Sequence, residues 1–159
     1  MKVFIIGGTG LLGLAAANKF IEDGHYVTSL ALPPIPKGAP VSPKTNLVLE
    51  NHASLSDDDL LSYMADCETF IFAAGVDERL ESKPPVYDMY YKYNIQPLGR
   101  LLKLAKKAGI RKAIILGSYF SYFDRTWPEL GLYKNSPYIR SRIEQASLAM
   151  SFSDEKINV

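Results

Sequence analysis

Lys2-Val-Phe-Ile-Ile-Gly7-Gly8-Thr9-Gly10-Leu11-Leu12-Gly13 is the stretch whose reading decides the fold. Val3–Ile6 is a short, continuous apolar run, as expected of a central parallel strand covered on both faces, and it stops at Gly7-Gly8. Gly7 permits a tight exit from the strand, Gly10 leaves room for a pyrophosphate against the backbone, and Gly13 lets the next helix pack closely on the sheet. The free amides of that helix's first turn, at Leu11, Leu12 and Gly13, together with its positive dipole end, then face the phosphates. Three glycines alone are a weak signal. Their placement between a strand and a helix turns them into a dinucleotide-binding loop.

The rest of the chain continues the same alternation. Apolar residues at helical spacing (Leu12, Ala15, Ala16, Phe20) predict a helix over Leu11–Asp23, closed by Gly24. Tyr26–Leu32 reads as a second strand. Pro33, Pro34, Pro36, Gly38, Pro40 and Pro43 then exclude regular structure and give a stiff surface loop, either a connection beside the ligand site or a polyproline ligand. Leu47–Leu49 is a weak third strand, Ser56 or Asp57 caps a short helix through Met64, and Thr69–Ala73 is a strong fourth strand. A long helix from Val86 to Ala108 closes at Gly109, and Lys112–Leu116 forms strand five. Ser136-Pro137 opens a helix to Phe152, and Lys156–Val159 resembles the start of a sixth strand. Right-handed crossovers make this an α/β, doubly wound parallel sheet of order 3-2-1-4-5 with a truncated sixth strand. One dinucleotide-binding domain is expected over 1–159. Its ligand should lie outside the carboxyl ends of the strands, among the loops after Ile6, Leu32, Ala74 and Leu116.

Composition narrows the partners. Eighteen basic and seventeen acidic side chains leave a net charge of +1, with no global field for nucleic acid or an anionic membrane, so a small-molecule substrate is expected. Cys67 is the only cysteine; it excludes an internal disulfide and a thiolate metal cluster, and suggests a reducing, cytoplasmic setting. It precedes an apolar run, which suits a small buried residue better than a nucleophile. The apolar N-terminus is not read as a secretory signal, because glycines at three-residue spacing belong to a strand, loop and helix. His25 and His52 have no partner at ligand spacing, so no metal site is expected.

The three-residue glycine spacing resembles the extended and atypical branches of the short-chain dehydrogenase/reductase superfamily, which include nucleotide-sugar epimerases and dehydratases. Phe72-Ala73-Ala74-Gly75 looks like the cofactor-flanking motif after strand four, and Tyr93-Asn94-Ile95 is similar to the asparagine motif of the following helix. Gly117-Ser118 with Tyr122 resembles the serine motif after strand five. The resemblance implies cofactor contacts from Ala73, Ala74 and Asn94, a homodimer built on the two long helices, and a C-terminal substrate domain that these 159 residues do not contain.

It also implies chemistry. In the family a tyrosine acts as acid or base on a substrate hydroxyl or carbonyl, a lysine four residues on lowers its pKa, and a serine positions the oxygen. A phenol titrates near 10, so a fixed cation is needed to reach its anion near neutrality, and a spacing of four puts both groups on one helix face. Tyr138-Ile-Arg-Ser-Arg142 occupies that place, twenty residues after Ser118, with arginine where the family has lysine. Arginine keeps the charge but its planar fork is not a geometric substitute for an ammonium. Tyr133-Lys134 lies in an irregular segment without that spacing and is expected to face solvent. The basic run Lys103, Lys106, Lys107, Arg111 and Lys112 reads as a solvated helix end, and the dense group Tyr87, Tyr90, Tyr91 and Tyr93 as partly facing substrate or a second subunit.

For the cofactor, NAD or NADP, a carboxylate at the end of strand two would bind the adenosine ribose. That position falls on Ala31, with Leu32 next, and Lys37 tips the balance toward NADP. Two functions follow. One is an NAD(P)-dependent oxidoreductase or epimerase/dehydratase with Tyr138 as acid/base, Ser118 orienting the oxygen, and Arg142 supporting tyrosine and ribose. The other is a catalytically inactive cofactor-binding sensor or regulatory module.

Overall fold

The computed structural model describes residues 1–159. Five parallel strands, β1 (Lys2–Ile6), β2 (Tyr26–Ala31), β3 (Asn46–Leu49), β4 (Thr69–Phe72) and β5 (Lys112–Ile115), form one sheet in the order β3-β2-β1-β4-β5. This is the doubly wound arrangement expected. The register brings Ile6 level with Leu30 on one side and Phe72 on the other, and Phe72 level with Ile115. The carboxyl ends therefore form one rim. The strands run apolar because both faces are covered: Val3, Phe4 and Ile5 are completely buried, as are Phe70 and Phe72.

Helix α1 (Leu11–Glu22) follows β1 and lies on one face with Val3, Ile5, Ala17, Val27 and Ile71. The larger core lies on the other face. There α2 (Asp57–Met64), α4 (Gln96–Lys107) and α7 (Pro137–Met150) cover Phe4, Ile6, Phe70 and Phe72 with Leu60, Met64, Leu98, Leu101, Leu102 and Ala149. Helix α2 starts at a reciprocal capping box: Asp59 N–H donates to Ser56 Oγ, and Ser56 N–H donates to Asp59 Oδ2.

The structure differs from the sequence expectation in three places. The single helix from Val86 to Ala108 is interrupted: α3 (Val86–Tyr90) and α4 are joined by a π-helical turn at Tyr91–Ile95. Between β5 and α7 the irregular stretch contains α5 (Phe120–Thr126), a 3₁₀ turn (Pro128–Leu130) and α6 (Leu132–Asn135), so Tyr133 is helical. The sixth strand is reduced to one parallel bridge, in which Asn158 N–H donates to Arg111 O and Asn158 O accepts from Ala113 N–H. The basic run lies at the surface as expected, with Lys106 paired to Asp154 and Arg111 to Glu68. No helix is long and apolar enough to cross a membrane.

Candidate functional site

A cleft of about 230 Å³ opens at the carboxyl rim. Ile6, Gly7, Thr9 and Gly10 form its floor, Leu30, Ala31, Leu32, Glu50 and His52 one wall, and Ala73, Ala74 and Gly75 the other. Gly7 takes a φ of +89°, and a Cβ there would stand 2.8 Å from Ala73 O. A Cβ on Gly13 would stand 2.2 Å from Gly7 O, so α1 can approach the strand exit only with glycine at this position. A Cβ on Gly10 would meet nothing closer than Gly7 O at 3.4 Å, so the space above it is open. Gly10 is also the N-cap of α1 and supplies no side-chain cap. The first-turn amides are therefore left for an anion. Leu11 and Leu12 project into solvent, at 88% and 61% exposure, and contribute backbone alone. These features fit a dinucleotide pyrophosphate.

Sequence reasoning missed Glu50 and His52. Their signal was position: both follow β3, and a residue just beyond a parallel strand lies at the ligand rim. The Glu50 N–H donates to Ala31 O at 3.0 Å, which sets this turn beside the β2 exit. Burial first, and then the Arg100 charge, push the His52 pKa below its usual value. Lys37 is exposed and is not part of the cleft lining.

Asn94 does not line the cleft. It is completely buried in the π turn, where its Oδ1 accepts from Val76 N–H at 2.8 Å and its Nδ2 donates to Val76 O at 3.0 Å. Its own carbonyl accepts from Gln145 Nε2 at 2.6 Å. A π turn shifts the backbone pairing of the helix, and here the Asn94 carbonyl reaches a side chain of α7. The residue thus braces the Ala74–Val76 wall from behind.

Ser118 and Arg142 meet the β5 exit, and Tyr138 stands one turn before Arg142 on α7, against Phe120. Ser118 Oγ accepts from Phe120 N–H at 3.3 Å. Tyr138 lies on the first turn of α7, half-buried, with its ring edge-on to Tyr90 at 5.6 Å and to Phe120 at 6.4 Å. One turn on, Arg142 is only 7% exposed. Its Nη2 donates to Leu116 O and to Gly117 O, the latter at 3.0 Å, while Nε has no partner. A Cβ on Gly75 would lie 3.4 Å from Arg142 Nη1, so the guanidinium spans the exits of β4 and β5. Burial lowers its pKa, and Tyr138 partly opposes this.

The tyrosines of the neighbouring helices divide unevenly. Tyr90 packs on Tyr138, whereas Tyr87 Oη and Tyr133 Oη both donate to Glu144, which also accepts from Arg140 Nε at 2.9 Å. Tyr133 is exposed, as expected, with its hydroxyl bonded to Glu144. Burial pushes the Glu144 carboxyl up, but the bonds from Arg140, Tyr87 and Tyr133 more than offset it and hold the carboxyl below its usual range. This hub ties α3, α6 and α7 together beside Tyr138.

The sequence profile of the NAD dependent epimerase/dehydratase family matches residues 3–159, and the chain belongs to that family. Among curated proteins none matches the chain in sequence. Among solved structures, MoeE5 in complex with UDP-glucuronic acid and NAD is similar at 17% identity with a TM-score of 0.74, over 100% of this chain and 52% of that one. UDP-glucuronic acid 4-epimerase from Bacillus cereus in complex with NAD aligns at 14% identity and TM-score 0.71, over 99% and 55%. TunA, an NAD dependent NDP-hexosamine 5,6-dehydratase of tunicamycin biosynthesis, aligns at 21% identity and TM-score 0.68, over 94% and 49%. At these identities the likeness establishes the fold. The chain spans about half the length of the solved structures it matches.

Proposed function

We propose that residues 1–159 are the dinucleotide-binding domain of an NAD-dependent oxidoreductase or epimerase/dehydratase acting on a hydroxyl or carbonyl group, with nucleotide sugars as the substrate class. The observation that carries this reading is the open cradle above Gly10, at an uncapped helix start beside the exits of β1, β2 and β4. Gly7, Gly10 and the amides of Leu11, Leu12 and Gly13 hold the pyrophosphate, and Ala73 and Ala74 form the wall on the β4 side. Glu50 supplies the carboxylate missing at Ala31. A carboxylate suits ribose hydroxyls and opposes an extra phosphate, and solved relatives carry NAD, so NAD is preferred over NADP.

A bound nicotinamide supplies the hydride acceptor and donor. Tyr138 Oη exchanges the proton of the substrate oxygen, and Ser118 Oγ holds that oxygen by a hydrogen bond. Arg142 keeps a positive charge one helical turn from Tyr138 and fixes the Leu116–Gly117 exit that presents Ser118. Asn94 acts by bracing the β4 exit. Incubation with NAD and a panel of UDP-hexoses and UDP-hexuronates, read by nicotinamide absorbance and product chromatography, tests the reading. Turnover by the wild type and a loss of at least a hundredfold in Tyr138→Phe support it. Undiminished turnover in Tyr138→Phe contradicts it.

A second reading, a cofactor-binding module without catalysis, is favoured by one observation: Arg142 Nη2 is already committed to two carbonyls. For assembly, a homodimer through the groove of Tyr91 on the π turn, Gly99 and Lys103 on α4, and Leu148 on α7 is proposed. Buried, unpaired Cys67 supports a reducing, cytoplasmic setting.

A further inference from the structure

Glu50 and His52, which wall the cleft on the β2 and β3 side, belong to a turn, residues 50–56, with no strand or helix of its own. Its internal bonds are short-range: Asn51 Oδ1 accepts from Ala53 N–H, and Ser56 exchanges bonds with Asp59. One side chain from elsewhere in the fold reaches it. Arg100, on α4, donates from Nη1 to His52 O at 3.1 Å, from Nη2 to Leu55 O at 2.7 Å, and from Nε to Asp57 Oδ1 at 2.8 Å. Arg100 itself faces the groove along α4, bordered by Asp57 and Leu148, and not the cleft.

We infer that Arg100 is a positioning residue for cofactor affinity, acting through the 50–56 turn on the adenosine half of the ligand; this rests on the dinucleotide-binding reading above. The adenosine half is assigned to this wall because a doubly wound sheet places the adenosine ribose at the β2 exit. The reacting half then lies toward β4 and β5, where Ser118 and Tyr138 are. Three acceptors on three residues match the planar fork of a guanidinium. A lysine ammonium, a point donor on a flexible stem, cannot span them. Loss of the fork frees the carbonyls of His52 and Leu55, and with them the orientation of the His52 ring, while Glu50 keeps its backbone bond to Ala31 O. The Gly7–Gly13 loop and the β4 exit have no bond to Arg100 and keep their geometry.

The test uses the full chain in calorimetric titrations with NADH, with ADP as the adenosine half, and with reduced nicotinamide mononucleotide as the other half. Arg100→Gln is expected to weaken NADH and ADP about tenfold each, Arg100→Lys less, with nicotinamide mononucleotide unchanged within twofold. Should Arg100→Gln fail to fold, Arg100→Lys carries the comparison, and a melting curve for each variant separates a general loss of stability from a selective loss of affinity. Folded variants that bind NADH and ADP within twofold of wild type overturn the inference. So does a parallel loss for both halves, which marks a purely structural role. A wild type that binds neither NADH nor ADP overturns the cofactor reading itself, and this inference with it.

Discussion

The side chain of Asn94 and the backbone of Val76 exchange two hydrogen bonds, at 2.8 and 3.0 Å, so that an amide side chain stands in for a neighbouring strand where the sheet has ended. A Cβ on Gly75 would stand 2.7 Å from Asn94 Oδ1, so the glycine beside this clasp has no room for a side chain. Replacement Asn94→Ala leaves two backbone groups of the β4 exit without partners. A loss of about 1–3 kcal/mol in unfolding free energy is expected from urea titration, together with weaker NADH binding through a loosened wall. A change below about 0.5 kcal/mol, within the range of an ordinary surface substitution, would contradict the clasp.

Arg142 offers a second check. Lysine at this position keeps the charge, but its shorter stem and compact ammonium do not fill the buried space of the planar guanidinium, whose Nη1 lies beside Gly75 while Nη2 holds the Leu116 and Gly117 carbonyls, so Arg142→Lys should cost about 1–3 kcal/mol, the scale of hydrogen bonds from a charged donor. The same variant separates the two functional readings. Reduced turnover supports a working arginine, whereas a gain in turnover at unchanged cofactor affinity favours the module without catalysis.

The Tyr87–Glu144 contact predicts an alkaline signature. Burial first, then the bond to the Glu144 carboxylate and its charge, push the Tyr87 phenol up to about 12 from its ordinary 10. A proton held more tightly in the folded chain stabilises it at pH below 10, and this contribution is lost as pH rises from 10 to 12. The stability difference between wild type and Tyr87→Phe should therefore be constant from neutral pH to pH 10 and shrink toward pH 12. A difference that stays flat across this window would show that the hydroxyl is not bonded to a carboxylate.

The sheet order was legible because β1 and β4 are largely apolar runs ended by a glycine and an alanine pair, and β2 is a strand segment ended by a proline cluster, signals that lie within a few residues of each other. The glycine loop was legible for the same reason. The bracing role of Asn94 was not, since a π turn depends on contacts with Val76 and Gln145 that are distant in sequence. The helical pieces between β5 and α7 went unread because each is seven residues or fewer, although Tyr119, Phe123 and Trp127 stand at helical spacing and Phe123 packs on Trp127 at 5.2 Å. Glu50 and His52 escaped because the acidic position was sought on β2 alone, while the cleft draws its wall from β3 as well. Tyr138 and Arg142 were singled out by the family resemblance, but the carbonyl partners of Arg142 lie just past β5 and could not be read from α7.

The central claim, that the Gly7–Gly13 loop cradles a dinucleotide, is tested most directly by fluorescence titration with NADH and NADPH on the wild type and on Gly10→Val. The extended backbone at Gly10, with φ −76° and ψ 167°, accepts a side chain, and the space above it is open, so valine should fill the phosphate position with the fold intact. Saturable NADH binding by the wild type, weaker NADPH binding, and at least a hundredfold loss in a normally folded Gly10→Val are predicted. Failure of the wild type to bind either cofactor, or undiminished binding by Gly10→Val, would contradict the account.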